Sequence, residues 1–177
     1  MRASVLLSAL LVSATAASAQ QRTTMGPVVP SFGPVFEVSP DFVSSSDIDY
    51  KVAFDVSQGS SPERANTSLT TVARFLNMHG QAGIPRDRIG AAVVIHGSAV
   101  MDVLNAQAYG ERHQADNPNA DLIRELLKAG VEVVVCGQSA ASRGVEKGHL
   151  MDGVQMALSA MTAFVILQEE GYVVNPW

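Results

Sequence analysis

Three runs of this chain are apolar almost throughout: residues 50–56 (YKVAFDV), 89–95 (IGAAVVI) and 131–135 (VEVVV). A strand with one wet face alternates apolar and polar residues. A continuous apolar run is instead buried on both faces. Segments with helical spacing lie between the runs. Over 62–79, Leu69, Val72, Ala73 and Leu76 form a stripe, with Pro62 near the first turn and Gly80 past the end. Residues 119–129 predict a helix closed by Gly130, and 150–170 a long one closed by Gly171. A short helix over 98–105 with Ser98 as cap, a polar loop over 107–117 and a last short strand over 172–174 complete the pattern. Buried strands alternating with helices predict an α/β domain, a mainly parallel sheet with helices on both faces.

The first 49 residues have a different composition. Arg2, an apolar stretch over 5–12 and Ala17-Ser18-Ala19 have the form of a secretory leader, cleaved before Gln20. The apolar stretch is too short for a good membrane span. A leader over 1–19 predicts a periplasmic or secreted protein with no membrane anchor. Gly26-Pro27, Pro30, Gly33-Pro34 and Pro40 mark 20–49 as an extended arm or linker. Its apolar residues, Val28, Val29, Phe32, Val35, Phe36 and Val38, exceed what a solvated linker needs. The arm either packs on the domain or a neighbouring subunit, or stays disordered. Residues 50–177 suffice for one domain with its own core. The formal net charge is −5, without a basic patch or an aromatic ladder. That argues against nucleic acid or an anionic membrane as partner.

In parallel α/β sheets, sites form at the carboxyl ends of the strands. Asp55 stands near the end of the first apolar run, His96 just after the second and Cys136 just after the third. Cys136 is the only cysteine, so no intrachain disulfide is possible. An unpaired thiol in an exported chain calls for a reason. Gly137 ends the run, and Ser139 offers a cap for a helical turn. The N–H groups of such a turn favour a thiolate, with Gly137 and Gln138 as donors to an anionic sulfur. The alternative is an inert, buried small side chain. His96 either lowers the thiol pKa as an imidazolium or caps the next helix. Asp55 either binds loop amides or caps the first helix. Gly137-Gln138-Ser139-Ala140-Ala141 lacks the second glycine of a nucleophile elbow, and no phosphate-binding or dinucleotide fingerprint occurs. One cysteine and four histidines do not show zinc spacing. Neither metal nor cofactor is expected.

Several segments together carry a family resemblance. They are Lys51-Val52-Ala53-Phe54-Asp55-Val56, Ala65-Asn66 with Leu69, Asn77, Val94-Ile95-His96-Gly97, Val133 to Gln138 (VVVCGQ), and Val154 to Ala163 (VQMALSAMTA). In order and spacing, the region from Lys51 to Val174 resembles the DsrE/DsrF-like family, several of whose members act in sulfur relay. The resemblance implies a flavodoxin-like fold, with Cys136 carrying sulfur as a persulfide. It also implies a trimer or hexamer, and a protein that donates or accepts the sulfur. Independently, 150–170 is apolar nearly all round, as expected of a helix buried on more than one side.

Two functions follow as expectations. The first is a sulfur carrier or sulfurtransferase-like protein, with Cys136 as nucleophile, His96 as proton shuttle and the Gly137–Gln138 amides around the sulfur. The second is a non-catalytic oligomeric module that binds a small anion or thiol in the same strand-end pocket, lined by Cys136 and Asp55.

Overall fold

The computed structural model describes residues 23–42 and 45–175. The expected leader lies outside them. Strands β1 (Thr23–Thr24) and β2 (Val35–Phe36) form a small antiparallel ribbon. Five further strands form one parallel sheet: β3 (Tyr50–Val56), β4 (Ile89–Ile95), β5 (Glu132–Cys136), β6 (Gln155–Ala157) and β7 (Val173–Asn175). Their spatial order is β6-β5-β4-β3-β7. The helices are α1 (Thr67–Gln81), α2 (Ala106–His113), α3 (Ala120–Lys128), α4 (Gly137–Ala141) and α5 (Ala160–Glu169).

Strand β4 shows why the apolar runs are continuous. Ile89, Ala91, Val93 and Ile95 belong to the larger core, with Leu69, Val72 and Leu76 of α1 and Leu122, Ile123 and Leu126 of α3. The alternate residues Ala92 and Val94 face Ala163 and Leu167 of α5. Both faces of the strand are dry, so neither set of positions tolerates polar residues. The α/β class and the two helical layers are as the sequence predicts.

Several boundaries differ. Helix α1 starts at Thr67 and not near Pro62, because Asn66 takes the cap and accepts the Ser68 N–H at 2.9 Å. Residues 97–103 are a 3-10 helix without a side-chain cap; the Ser98 hydroxyl accepts the Gly59 N–H instead. The expected loop at 107–117 contains α2, whose stripe is only Ala108 and Tyr109 and was too narrow to read. Asn105 caps it.

The largest correction concerns 150–170. That stretch is not one helix. A 3-10 turn at Lys147–His149 and Gly153 at φ +91° precede β6, and only then does α5 begin. Parallel pairing of β6 with β5, Cys136 opposite Ala157, outweighs the helical spacing of these residues. Ser159 caps α5 by accepting the Thr162 N–H at 3.1 Å.

The described part of the arm packs on the domain. Val29 and Val35 are fully buried. Asn77, on the outer side of α1, is the anchor. Its Oδ1 accepts the N–H groups of Val28 and Val29, and its Nδ2 donates to the carbonyls of Val29, Phe32 and Gly33, all within 3.1 Å.

Candidate functional site

Asp55, His96 and Cys136 arrive at the carboxyl end of the sheet from its three central, adjacent strands. Alternation puts them on one face. Ala53, Val94 and Val134 lie on the α5 side, and residues two further along each extended chain point the same way. His96 and Cys136 both keep extended backbone angles, so the alternation carries through them. The β4–β5 register, Ile95 opposite Val135, sets His96 next to Cys136. Asp55 stands diagonally from His96 across the β3–β4 pair.

The diagonal is bridged. His96 Nε2 lies 2.6 Å from Asp55 Oδ1, with both side chains about one-third exposed. An ionised carboxylate only accepts, so Nε2 carries the proton. In the neutral ring the other nitrogen, Nδ1, is then an acceptor. Asp55 therefore neither caps α1, whose cap is Asn66, nor binds loop amides among its described contacts.

Cys136 is the last residue of β5 and the cap of α4. The strand runs into the helical turn with no residue between, so the sulfur occupies the usual place of a capping oxygen. Sγ accepts the Ser139 N–H at 3.4 Å. Ser139, expected as the cap, lies inside the turn. Cys136 is 5% exposed. Burial pushes its pKa up, but the hydroxyl and N–H of Ser139, with the N–H groups of Ala160 and Gln138, outweigh burial. The thiol ends below its ordinary value. Ala160 is the first residue of α5, so donors reach the sulfur from two helices.

Gly137 has a different task from the one expected. A Cβ there would stand 2.6 Å from the Ala157 carbonyl oxygen, so glycine lets β6 close against the turn. Gln138 contributes its N–H to the sulfur, and its Nε2 reaches the Leu158 carbonyl at 3.5 Å.

A model of the DsrE/DsrF-like family matches residues 51–176, most of the chain and all of the five-stranded sheet but Tyr50. The chain belongs to the DsrE/DsrF-like family. No curated protein matches it. Among solved structures, MTH1491 from Methanobacterium thermoautotrophicum, described as of unknown function, is 19% identical. The alignment covers 73% of this chain and all of that one, with a TM-score of 0.53. The ychN protein from E. coli is 16% identical over 72% of this chain and 99% of its own, also with a TM-score of 0.53. Both likenesses show the fold. The family match contains Asp55, His96 and Cys136, and leaves the arm outside.

Two groups at this end of the DsrE/DsrF-like domain escaped the sequence reading. One is Ala160, together with the donor role of Ser139, which the sequence offers only as a cap. The other is a buried polar network behind the β3–α1 loop. There Asp102 accepts from the N–H and hydroxyl of Ser60 and from Asn66 Nδ2, and Asn119 binds the Asn66 N–H and the Ser60 hydroxyl. Burial pushes the Asp102 carboxyl up despite these donors. The network holds the loop that follows Asp55. Its only sequence trace is an excess of Asn and Ser around the helix starts.

Proposed function

We propose that this chain is an exported sulfur carrier of the DsrE/DsrF-like family, with Cys136 as its persulfide-bearing residue. One observation supports the reading above the others: the thiol is held as a helix cap, below its ordinary pKa, beside a histidine already oriented by a carboxylate. In loading, the Cys136 thiolate attacks the outer sulfur of a donor persulfide, R–S–SH. The Cys136–sulfur bond forms as the R–S bond to that sulfur breaks, and the electron pair leaves with RS⁻. The proton of the transferred sulfur passes through His96 Nδ1 to the departing thiolate. Delivery is the same exchange in reverse, with an acceptor thiolate attacking the outer sulfur. No oxidant is required. The Gln138, Ser139 and Ala160 amides hold the charge on the sulfur when it is a thiolate.

The proposal includes location and assembly. Cleavage before Gln20 leaves the protein in the periplasm or the medium. A second copy of the chain covers the outer side of α5, where Met161 is 77% and Val165 60% exposed while Ala163 and Leu167 are buried. The trimeric or hexameric order is the family's. Among the described residues no helix is long and apolar enough to cross a membrane.

Intact mass spectrometry after incubation with polysulfide is the test. One added sulfur per subunit is expected, with none on Cys136→Ser and slower loading on His96→Gln. A wild-type protein that acquires no sulfur while its thiol still reacts with an alkylating agent favours the binding module. N-terminal sequencing of periplasmic material should begin at Gln20.

A further inference from the structure

The β4–β5 pairing ends with Ile95 opposite Val135. Past it, the two chains enter separate elements: His96 leads into the 3-10 helix over 97–103, and Cys136 into α4. On the β3 side the turn that carries His96 is pinned several times. The His96 N–H donates to the Val56 carbonyl at 3.0 Å, the Ala99 N–H to the Ser57 carbonyl at 3.3 Å, and the His96 ring to Asp55. On the β5 side, among the described residues, one hydrogen bond joins the 3-10 helix to α4. The Gly97 N–H donates to the Ser139 hydroxyl oxygen at 3.2 Å. Neither end of this bond is free to wander. Gly97 has φ +54°, and a Cβ there would stand 2.5 Å from the Ser57 carbonyl oxygen. Ser139 lies in the first turn of α4, and its own N–H donates to Cys136 Sγ at 3.4 Å. From the sulfur to the amide next to His96, the link runs through a single residue.

We propose that Ser139 is a positioning residue for His96: by accepting the Gly97 N–H it ties the histidine turn to the thiol turn and sets where the ring stands relative to Cys136. The tie itself stands on the two hydrogen bonds; its use in sulfur transfer rests on the carrier reading above. A proton passes between a ring nitrogen and a sulfur only within hydrogen-bond reach, directly or through one water. Asp55 draws the ring from β3, whereas Cys136 lies on β5. A histidine held from the β3 side alone would be oriented without being placed at the sulfur. The tie supplies the other side. Serine suits the task because its two groups act apart. The backbone N–H caps the sulfur whatever the side chain is, and the hydroxyl oxygen accepts from the neighbouring turn. Ser139→Ala therefore keeps the backbone donor to the sulfur and removes the tie.

A double-mutant cycle on sulfur loading of the mature chain from polysulfide separates positioning from other roles. A positioned acid–base group is worth about a hundredfold or more, and a displacement of ~1 Å can cost about as much. His96→Gln and Ser139→Ala should each slow loading by about a hundredfold. Together they should slow it by no more than about threefold beyond either alone, because a misplaced histidine has little left to lose. Ser139→Thr, which keeps the accepting oxygen, should load at the wild-type rate. Melting temperatures check that each variant is folded, and Ser139→Gly carries the same test if alanine is not accepted. Losses that multiply, or Ser139→Ala loading as fast as wild type, overturn the proposal, since Ser139 would then act on the thiol directly or not at all. A second measurement needs no sulfur transfer. The NMR signal of the His96 ring, followed beside the ultraviolet absorbance of the thiolate, should step as Cys136 ionises. In Ser139→Ala the step should shrink to about half or less, because the field of the thiolate weakens with distance. A wild-type ring that ignores the thiol, or equal steps in both proteins, overturns the tie. A step lost in the variant, with no sulfur uptake by the wild type, would sink the carrier reading and leave the tie standing. Uptake with an unchanged step would do the reverse.

Discussion

Gly137 sits where β5 becomes α4, and its missing side chain decides how closely β6 can approach the thiol. Alanine is the better helix former by about 1 kcal/mol. Here the clash outweighs that gain, because the atom facing the new Cβ is a backbone carbonyl oxygen in a paired strand and cannot swing aside. Gly137→Ala should lose about 1–3 kcal/mol, as overpacked sites do. Thermal unfolding measures the loss. Cys136 alkylation should change in the same variant, since Ala160 follows β6 and donates to the same sulfur. A variant as stable as wild type would show that β6 does not press on the turn. At this scale the three strand-end residues were legible because parallel sheets collect chemistry there. Ser139 was read one role off. Sequence rules place an oxygen at the cap and do not foresee a sulfur in its place.

At the scale of elements, the arm is tied to α1 through one side chain. Asn77 is fully buried and offers two N–H donors to three carbonyls, so one proton is shared. Alanine there would leave two N–H groups and three carbonyls of the arm without their partner. Each unmet buried group costs about 1–3 kcal/mol. The arm has a cheaper course, which is to lift off and meet water. Asn77→Ala should therefore bring rapid proteolysis within residues 26–36 while the sheet keeps its cooperative melt at a modestly lower temperature. Asn77→Asp should do the same, since a carboxylate cannot donate to carbonyls. Unchanged protease resistance in both would mean that Val29 and Val35 hold the arm without help. Neither Asn77's role nor the β6–α5 division could be read locally. The partners of Asn77 lie up to 49 residues away, and β6 is a strand only because β5 lies alongside.

For the whole molecule, α5 returns the chain from β6 at one edge of the sheet to β7 at the other, and only one of its sides meets the sheet. Met161, Val165 and Ile166 face outward, and Leu158 beside them is 73% exposed near the thiol turn. Covering these side chains would remove about 1.5–3 kcal/mol of exposure cost for each one fully buried. Light scattering of the mature protein should show an oligomer at micromolar concentration. The double variant Met161→Glu, Val165→Lys should dissociate it to monomers with little change in the far-ultraviolet spectrum. A wild-type monomer would reject the interface.

Read alone, the chain determined its α/β class, the two-sided burial of its central strands, and which three polar residues lie at their carboxyl ends. These follow from periodicity and from residue types, which are local properties. The strand order, the bond between His96 and Asp55, the donors around Cys136 and the docking of the arm were decided by tertiary structure. Each depends on segments distant in sequence being set side by side at ångström precision: a hydrogen bond forms or fails within a few tenths of an ångström, and the spacing of apolar residues carries no information on that scale.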